Sequence, residues 1–419
     1  MGQAKSKLHF AWLVLVGLCI TVGLGKAALN NTSGLFITPI SQDLGVGVGN
    51  LTLYLSISSI VTMIFLPIGG KIMAKYDARI VLTIAIILQA GSFAAFGLMN
   101  SVWGWYIFSI PLAVGGVFIT VIAGPVLVER WFEKRNGLAL GVMTAIGGLL
   151  GAFTQPIVGG LISDIGWRNT YFAVGIAVII IVVPIILLLL RQNPAAKGLL
   201  PYGAEESTGS ESNKPKQKPG IPFAVASKSL AFILLALFFF IITAISSFTV
   251  HIPTYLVNQG YTVTFAGSAM SAMMIGVFLG SLLFGYLIDR IGVKNTSLIA
   301  MVLGLLSIVL LLLFTQSVAM IIIALLLFGF MTTSVGTLAP AITSALFGGR
   351  DYSQIYATAS MGLAIASIIA LPAYGYIFDF TGSYLIALIA VIIMFLLNIV
   401  FIIVAFRNKE KLVKEGHWN

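Results

Sequence analysis

Charged residues are what this sequence has least of: Asp, Glu, Lys and Arg together supply 9% of its 419 residues, while 59% are hydrophobic. Soluble domains carry roughly 25% charged residues, because a surface in water needs them. A water-soluble enzyme is therefore excluded. The long apolar runs reach the roughly 20 residues that a transmembrane helix requires, so the composition predicts a protein whose helices cross a membrane many times.

Cysteine and histidine are also scarce. Cys19 is the single cysteine, which excludes a disulfide framework and a cysteine metal site. The histidines, His9, His251 and His417, are too scattered for a zinc centre. The sequence has no Gly-rich phosphate loop of the Walker type and no cluster of acid, base or metal-binding residues within its apolar runs. We therefore expect neither an enzyme nor an ATP-driven pump, and no cofactor or metal.

Polar breaks divide the chain into twelve apolar runs, which we predict to be twelve transmembrane helices. Their approximate limits are 11–37, 51–73, 80–99, 103–128, 137–162, 170–190, 229–252, 266–288, 297–316, 318–343, 353–377 and 383–406. The longest polar stretch follows the sixth run and is rich in Pro, Gly, Ser, Glu and Lys, a composition typical of a flexible linker. The predicted parts are a six-helix half (1–191), a cytoplasmic linker (192–228), a second six-helix half (229–406) and a cytoplasmic tail (407–419).

Basic residues are concentrated on one side of this predicted topology. With the N-terminus in the cytoplasm, the inner segments hold 21 of the 23 Lys and Arg residues, the outer loops hold only Arg168, and Lys26 falls within a span. Cytoplasmic loops of membrane proteins carry such an excess of Lys and Arg. We therefore predict cytoplasmic termini and a plasma or bacterial inner membrane. The net charge of +10 follows from this topology, so we expect no nucleic-acid partner.

An internal repeat relates the two predicted halves at a fixed offset of 215 residues. The matched pairs fall at corresponding helix ends and loops: Gly70 and Gly285, Arg79 and Lys294, Pro125 and Pro340, Phe132 and Phe347, Arg135 and Arg350, Gly160 and Gly375, Asp164 and Asp379. A parallel repeat of two six-helix halves is the architecture of major facilitator carriers. The sequence therefore predicts an all-α membrane protein with the major facilitator fold.

One loop motif strengthens the resemblance to the major facilitator superfamily. The segment Gly285-Tyr-Leu-Ile-Asp289-Arg290-Ile-Gly292-Val-Lys294 is similar to the family's motif between the second and third helices of a half. Glycine lets two helices approach closely, and aspartate caps a helix end. The resemblance implies a conformational latch made of these residues together with Arg79, Arg135 and Arg350. The N-terminal copy departs from the motif, with Ala74 at the Asp position and Asp77 at the second Gly.

A second resemblance is to monocarboxylate transporters and oxalate:formate-type antiporters. It rests on Arg130-Trp-Phe-Glu-Lys134-Arg135-Asn-Gly-Leu-Ala-Leu-Gly141 and on the first run. The Gly-rich fifth run is similar to the antiporter-type motif of the family, with Gln155 where Gly is usual. The resemblance implies a small organic anion as cargo. The charged residues that monocarboxylate carriers use fall here on Val277, Ser281 and Asn30, so proton-coupled lactate transport does not follow.

Lys26 is the one clear charge in the middle of an apolar run, where a charge costs several kcal/mol unless it is paired or faces water. Asn30 and Ser33 follow on the same helical face, with Asn31 beside them. This face offers a cation and amide donors to a carboxylate. The alternative is that Lys26 extends its ammonium to the membrane interface or pairs with a backbone carbonyl for structural reasons.

His251 and Tyr255 form a second polar face near the end of the seventh run, at which a histidine could donate to an anion. The alternative is a structural, hydrogen-bonded histidine. Further candidate substrate-binding residues are Tyr54, Gln155, Ser281 and Tyr356. Polar residues in spans often only join helices, which is the alternative for these four.

These observations predict a monomeric secondary transporter that moves a small organic anion, a monocarboxylate or similar, by alternating access. No carboxylate lies in the middle of a run, which favours uniport or anion exchange over proton symport. One alternative keeps the fold but carries a larger amphipathic acid, a neutral compound or a drug. Another is a membrane receptor built on a carrier scaffold, which the short polar linker disfavours.

Overall fold

The computed structural model describes residues 9–204, 219–416 and 418. Lys5, Lys7 and the middle of the predicted linker lie outside the described residues. All regular elements of the described chain are helices. The α-helices are α1 (Phe10–Ala27), α2 (Ser33–Leu44), α3 (Val48–Lys75), α4 (Ala78–Ala95), α5 (Val102–Gly116), α6 (Ala123–Trp131), α7 (Asn136–Leu189), α8 (Phe223–Ala226), α9 (Leu230–Ser247), α10 (Ile252–Asn258), α11 (Val263–Leu313), α12 (Val318–Thr332), α13 (Ser334–Phe347), α14 (Tyr352–Thr381) and α15 (Leu385–Lys414).

Ten segments of the described chain are long and apolar enough to cross a membrane. Two of them, α7 with 54 residues and α11 with 51, exceed twice the length of about 20 residues that one crossing needs. α7 turns at Gly166 (φ 78°) and α11 turns at Gly292 (φ 80°), a backbone region that glycine enters without strain. Each long helix thus accommodates two of the twelve predicted spans. The predicted all-α membrane fold is confirmed.

The first predicted span differs from a single helix. α1 ends at Ala27, α2 begins at Ser33, and the backbone between them forms turns. Asn30 and Asn31 lie in this interruption, and asparagine side chains compete with helical backbone hydrogen bonds. α15 also differs, because it continues to Lys414, past the predicted end of the last span at residue 406.

The repeat predicted from the sequence recurs in the positions of the helices. α3 and α11 begin at Val48 and Val263, which are 215 residues apart, and α7 and α14 begin 216 residues apart. Helices α1 to α7 form one half, and helices α8 to α15 form the other. We call the end of the molecule that holds Tyr202 and Gly220 the linker side. The opposite end, where α3 begins and α14 ends, is the far side.

The described ends of the linker pack against their own halves. The amide N–H of Tyr202 donates to the carbonyl of Trp131 at 2.8 Å, in the first half. The amide N–H of Ile221 donates to the carbonyl of Phe347 at 2.8 Å, in the second half. Trp131 and Phe347 are the last residues of α6 and α13, two helices that correspond in the repeat. The described linker ends therefore belong to the two halves and do not bridge them.

The two halves meet closely at the far side. The carboxylate of Asp379 in α14 accepts hydrogen bonds from the amide N–H groups of Val48 (2.8 Å) and Gly49 (2.7 Å), at the start of α3. The Tyr376 hydroxyl donates to Asn50 Oδ1 at 2.9 Å. A carboxylate at a helix N-terminus is favoured by the unpaired N–H groups and by the helix dipole. These contacts hold α3 against α14.

A second contact between the halves joins the first part of α7 to the first part of α11. The hydroxyls of Ser163 and Thr264 lie 2.8 Å apart, and Ser271 donates to the carbonyl of Ala152. A Cβ added at Gly267 would lie 2.6 Å from the Gln155 carbonyl oxygen, so only glycine allows this approach. Small residues play this part between membrane helices.

Candidate functional site

A cavity of about 590 Å³ lies between the two halves. Residues of the first half form most of its wall, and α9, α13 and α14 supply the rest. Its polar groups are one amide and a set of hydroxyls, contributed by Asn30, Ser33, Tyr54, Ser58, Ser59, Thr62, Thr120, Thr243 and Ser367. The described wall contains no Asp, Glu, Lys, Arg or His. The cavity itself is therefore largely apolar and uncharged.

Interrupted helices surround this cavity. The turn between α1 and α2 supplies Leu29 and Asn30, and a π-helix at Val117–Ile122, between α5 and α6, supplies Val117, Thr120 and Val121. The repeat-related interruption in the second half is Thr333, between α12 and α13. Broken and π-bulged helices free backbone groups and often mark substrate sites in transporters. The first two interruptions thus supply irregular backbone to the cavity wall.

Lys26 lies in the last turn of α1, and its side chain is exposed. Among the described residues, no hydrogen bond or ion pair engages its ammonium group. Asn30, one turn further along, is also exposed and lines the cavity, so the two side chains share one face. The C-terminal end of α1 favours a positive charge through the helix dipole. The structure therefore leaves the charge open to a ligand, one helical turn from the cavity.

Asn31 and Gln155 lie behind the cavity and connect the turn to other helices. Gln155 is fully buried, and its Nε2 donates to the Asn31 carbonyl at 2.8 Å. The Asn31 Nδ2 donates to Met274 Sδ at 3.5 Å, across the boundary between the halves. Tyr54 lines the cavity and packs edge-on against Phe96, with 5.5 Å between ring centroids. Two predicted residues, Asn30 and Tyr54, thus form part of the cavity wall.

The predicted polar face of the seventh run lies inside the second half. His251 is fully buried; its Nδ1 lies 3.0 Å from the Tyr384 hydroxyl and its Nε2 lies 2.7 Å from the Leu371 carbonyl. Tyr255 donates to the Leu311 carbonyl at 2.7 Å. Neither lines the cavity. These contacts join the turn between α9 and α10 to α14 and to the start of α15, and they join α10 to α11, as the structural alternative expects.

Replacing His251 with Ala is expected to lower stability without changing substrate affinity. The substitution removes the hydrogen bonds that the imidazole makes with the Tyr384 hydroxyl and the Leu371 carbonyl, and the loss of a buried partner costs about 1–3 kcal/mol. The measurement is the melting temperature in detergent, with Tyr384→Phe as a control that removes only one of the two contacts. A raised KM in a His251→Ala protein of unchanged stability would contradict the structural role.

Ser281 and Tyr356 also lie outside the cavity wall. Ser281 donates to the Phe278 carbonyl of its own helix at 2.7 Å. Tyr356 stacks on Tyr352, with 5.8 Å between ring centroids. Sequence reasoning missed Gln89, a fully buried amide in α4 that donates to Asn30. The signal that could have found it is a single amide in the middle of the third apolar run.

The predicted latch residues lie on the linker side. Asp289 and Arg290 are exposed, and the Arg290 guanidinium lies 5.4 Å from the centroid of the Tyr286 ring. A Cβ added at Gly285 would meet nothing within 4 Å. Among the described residues, no hydrogen bond or ion pair joins Asp289, Arg290 or Lys294 to the first half.

The basic residues assigned to the latch by the repeat lie just before or at the start of helices. Arg79 pairs with Asp77 at 3.0 Å, and Asp77 caps the start of α4. The Arg79 guanidinium lowers the pKa of the Asp77 carboxyl through its hydrogen bond and its charge. Arg135 has a left-handed backbone (φ 66°) just before α7, and Arg350 occupies the repeat-related loop.

Comparisons with known proteins cover nearly the whole chain. A family profile described as Major Facilitator Superfamily matches residues 15–267 and 256–417. "Monocarboxylate transporter 12" of Rattus norvegicus is 22% identical over 405 residues, which cover 90% of this chain and 81% of the rat protein. A "Multi-drug resistance efflux pump PmrA homolog" of Lactococcus lactis is 24% identical over 420 residues, which cover 96% of each chain.

A solved structure shows the same fold. The crystal structure of a bacterial homolog to the human lysosomal transporter Spinster, described as inward-facing and unoccupied, superposes with a TM-score of 0.70 at 14% identity. The match covers 98% of this chain and 99% of that one. The fold is thus the same, and the family profile over nearly the whole chain confirms the predicted resemblance to major facilitator carriers.

Proposed function

The chain belongs to the Major Facilitator Superfamily of multi-pass secondary transporters, and on that premise we propose that its cargo is a small organic anion. One observation carries this proposal: Lys26 is exposed, its ammonium has no partner among the described residues, and it lies one helical turn from Asn30, which lines an uncharged cavity between the halves. A cation held in a membrane span needs a counter-charge or water, and a substrate carboxylate supplies the former. A single positive charge suits a monoanion.

Alternating access about the cavity completes the proposal. The far side corresponds to the extracellular side if the basic linker-side loops are cytoplasmic, as the distribution of Lys and Arg favours. The close contacts of α3 with α14 at the far side then describe a state closed to the outside. We assign Asp289, Arg290 and Lys294 to a latch that forms in the opposite state. The chain acts as a monomer in a plasma or bacterial inner membrane.

The charge of the cargo is tested by pairs of compounds that differ only in charge. Straight-chain monocarboxylates are compared with their primary amides and with dicarboxylates of equal length, by thermal stabilisation in detergent and by uptake into proteoliposomes. A ligand at a hundredfold excess over its Kd stabilises the folded state by about 2.7 kcal/mol. We expect monocarboxylates to stabilise and to be transported, and the amides and dicarboxylates to fail.

A second candidate cargo follows from the cavity wall. A volume of about 590 Å³ with a largely apolar, uncharged lining favours a larger amphipathic acid or a neutral compound. The same screen separates the two. Stabilisation that increases with chain length and is equal for acid and amide would replace the anion proposal with this one.

A further inference from the structure

Gln89 holds a position from which it fixes the side chain of Asn30. It lies in α4, is fully buried, and its Nε2 lies 3.3 Å from both the Gly25 carbonyl oxygen and Asn30 Oδ1. Gly115 lets α5 approach it, because a Cβ there would lie 2.7 Å from the Gln89 backbone nitrogen. The glutamine side chain is therefore confined between α1 and α5.

The hydrogen bonds determine which way each amide faces. The Gly25 carbonyl only accepts, so Gln89 must direct its NH₂ group toward it. The same NH₂ group needs an acceptor on Asn30, which is Oδ1. Asn30 is exposed and lines the cavity, and no described residue accepts from its Nδ2. The polar atom that Asn30 leaves for a ligand is thus a donor.

The orientation of Gln89 leaves its own oxygen without a partner. Gln89 Oε1 is buried, and no hydrogen-bond donor among the described residues reaches it. A buried acceptor without a donor is costly, but if the amide turned over, its oxygen would face the Gly25 carbonyl oxygen, which cannot donate. Gln89 therefore fixes the orientation of the Asn30 carboxamide, with Oδ1 accepting from Gln89 and Nδ2 left as the donor.

We propose that Gln89 is a positioning residue that makes Asn30 a hydrogen-bond donor to the substrate, so that Asn30 Nδ2 and the Lys26 ammonium together bind the two oxygens of one carboxylate. This inference rests on the proposed anion cargo and deepens it. The two donors stand one helical turn apart on the same face, and each binds one oxygen of the group. The Gln89 side chain itself does not touch the cargo.

The test is a double-mutant cycle on uptake of the best monocarboxylate from the acid and amide screen. Gln89→Met keeps the side-chain length but removes the donor, and Asn30→Ala removes the carboxamide. Each single variant is expected to raise KM about tenfold with little change in kcat, since each loses a hydrogen bond to a charged group. The double variant is expected to be no worse than Asn30→Ala alone, because Gln89 acts only through Asn30.

Thr154→Val is the matched control, because Thr154 also donates to the backbone of the first span, at the Ala27 carbonyl (3.3 Å), but does not line the cavity. Its KM is expected to stay at the wild-type value. Additive effects of Gln89→Met and Asn30→Ala, or an unchanged KM in a folded Gln89→Met protein, would overturn the positioning role. If Gln89→Met does not fold, Asn30→Asp supplies the test, because it directs a carboxylate oxygen at the substrate while still accepting from Gln89. Asn30→Asp is expected to abolish monocarboxylate uptake, and retained uptake would overturn the inference.

These outcomes are distinct from failure of the proposed function. If no monocarboxylate stabilises or enters with the wild-type protein, the anion cargo itself is wrong. If monocarboxylates are transported and Lys26 is required, but Gln89→Met has no effect, only the role of Gln89 is wrong.

Discussion

Replacing Lys26 with Gln is expected to reduce kcat/KM for a transported monocarboxylate at least about tenfold, because a hydrogen bond to a charged group contributes about 1.5–3 kcal/mol. The described cavity wall contains no cation that could take its place. Uptake of radiolabelled substrate into proteoliposomes is the measurement. The neutral primary amide of the same acid is expected to bind the variant at least as well as it binds the wild-type protein.

Two controls accompany this substitution. Lys26→Arg keeps the positive charge and is expected to retain a substantial part of the activity. Lys71→Gln makes the same change in net charge at an exposed position of α3 outside the cavity wall, and is expected to transport normally. If Lys26→Gln transports as well as Lys71→Gln does, the ammonium of Lys26 has no part in binding the cargo.

The fold was predictable because its signals lie along the chain. Apolar runs of membrane-spanning length separated by polar breaks give helices directly, and the repeat gives the relation between the halves. The interruption at Asn30 and Asn31 was not predicted, although two adjacent asparagines in an apolar run are a local signal. The π-helix at Val117–Ile122 has no such signal in its side chains. It arises where α5 packs against α4 around Gln89.

The candidate site was predictable only in part, because a residue type does not reveal its neighbours. Lys26 and Asn30 share a face because of their helical spacing, and this spacing can be read directly from the sequence. His251 has the chemistry of a binding residue, but its partner Tyr384 lies 133 positions away and buries it within the second half. Gln89 was missed for the same reason, since its contact with Asn30 spans 59 positions.

The repeat also predicts more symmetry than the far side possesses. Asp164 and Asp379 are repeat-related, as are Gly160 and Gly375. Among the described residues, the copies in the second half alone contact the start of a helix in the other half: Asp379 accepts from Val48 and Gly49. The contact between α7 and α11 uses hydroxyls instead, at Ser163 and Thr264. A conformation closed at the far side thus depends more on Asp379 and Gly375 than on Asp164 and Gly160.

Replacing Gly375 with Val is therefore expected to prevent closure at the far side and to reduce the rate of transport at least about tenfold, since overpacking a tight contact costs about 1–3 kcal/mol. A Cβ at Gly375 would lie 2.7 Å from the Gly49 Cα. The valine would therefore separate the Asp379 carboxylate from the N–H groups of Val48 and Gly49. Uptake into proteoliposomes measures the rate. Thiol labelling of Ser56→Cys in a Cys19→Ala background measures closure, because Ser56 donates to the Ile368 carbonyl within this contact.

Gly160→Val is the matched control for this prediction, because a Cβ at Gly160 meets nothing within 4 Å. It is expected to leave both transport and the labelling of Ser56→Cys at the level of the unsubstituted protein. In Gly375→Val, the cysteine at position 56 is expected to react faster, because separation of α3 from α14 exposes it. Equal impairment of the two glycine variants would show that bulk anywhere in these helices is harmful. Normal transport by Gly375→Val would show that the contact of α3 with α14 is not a closure that the transport cycle requires.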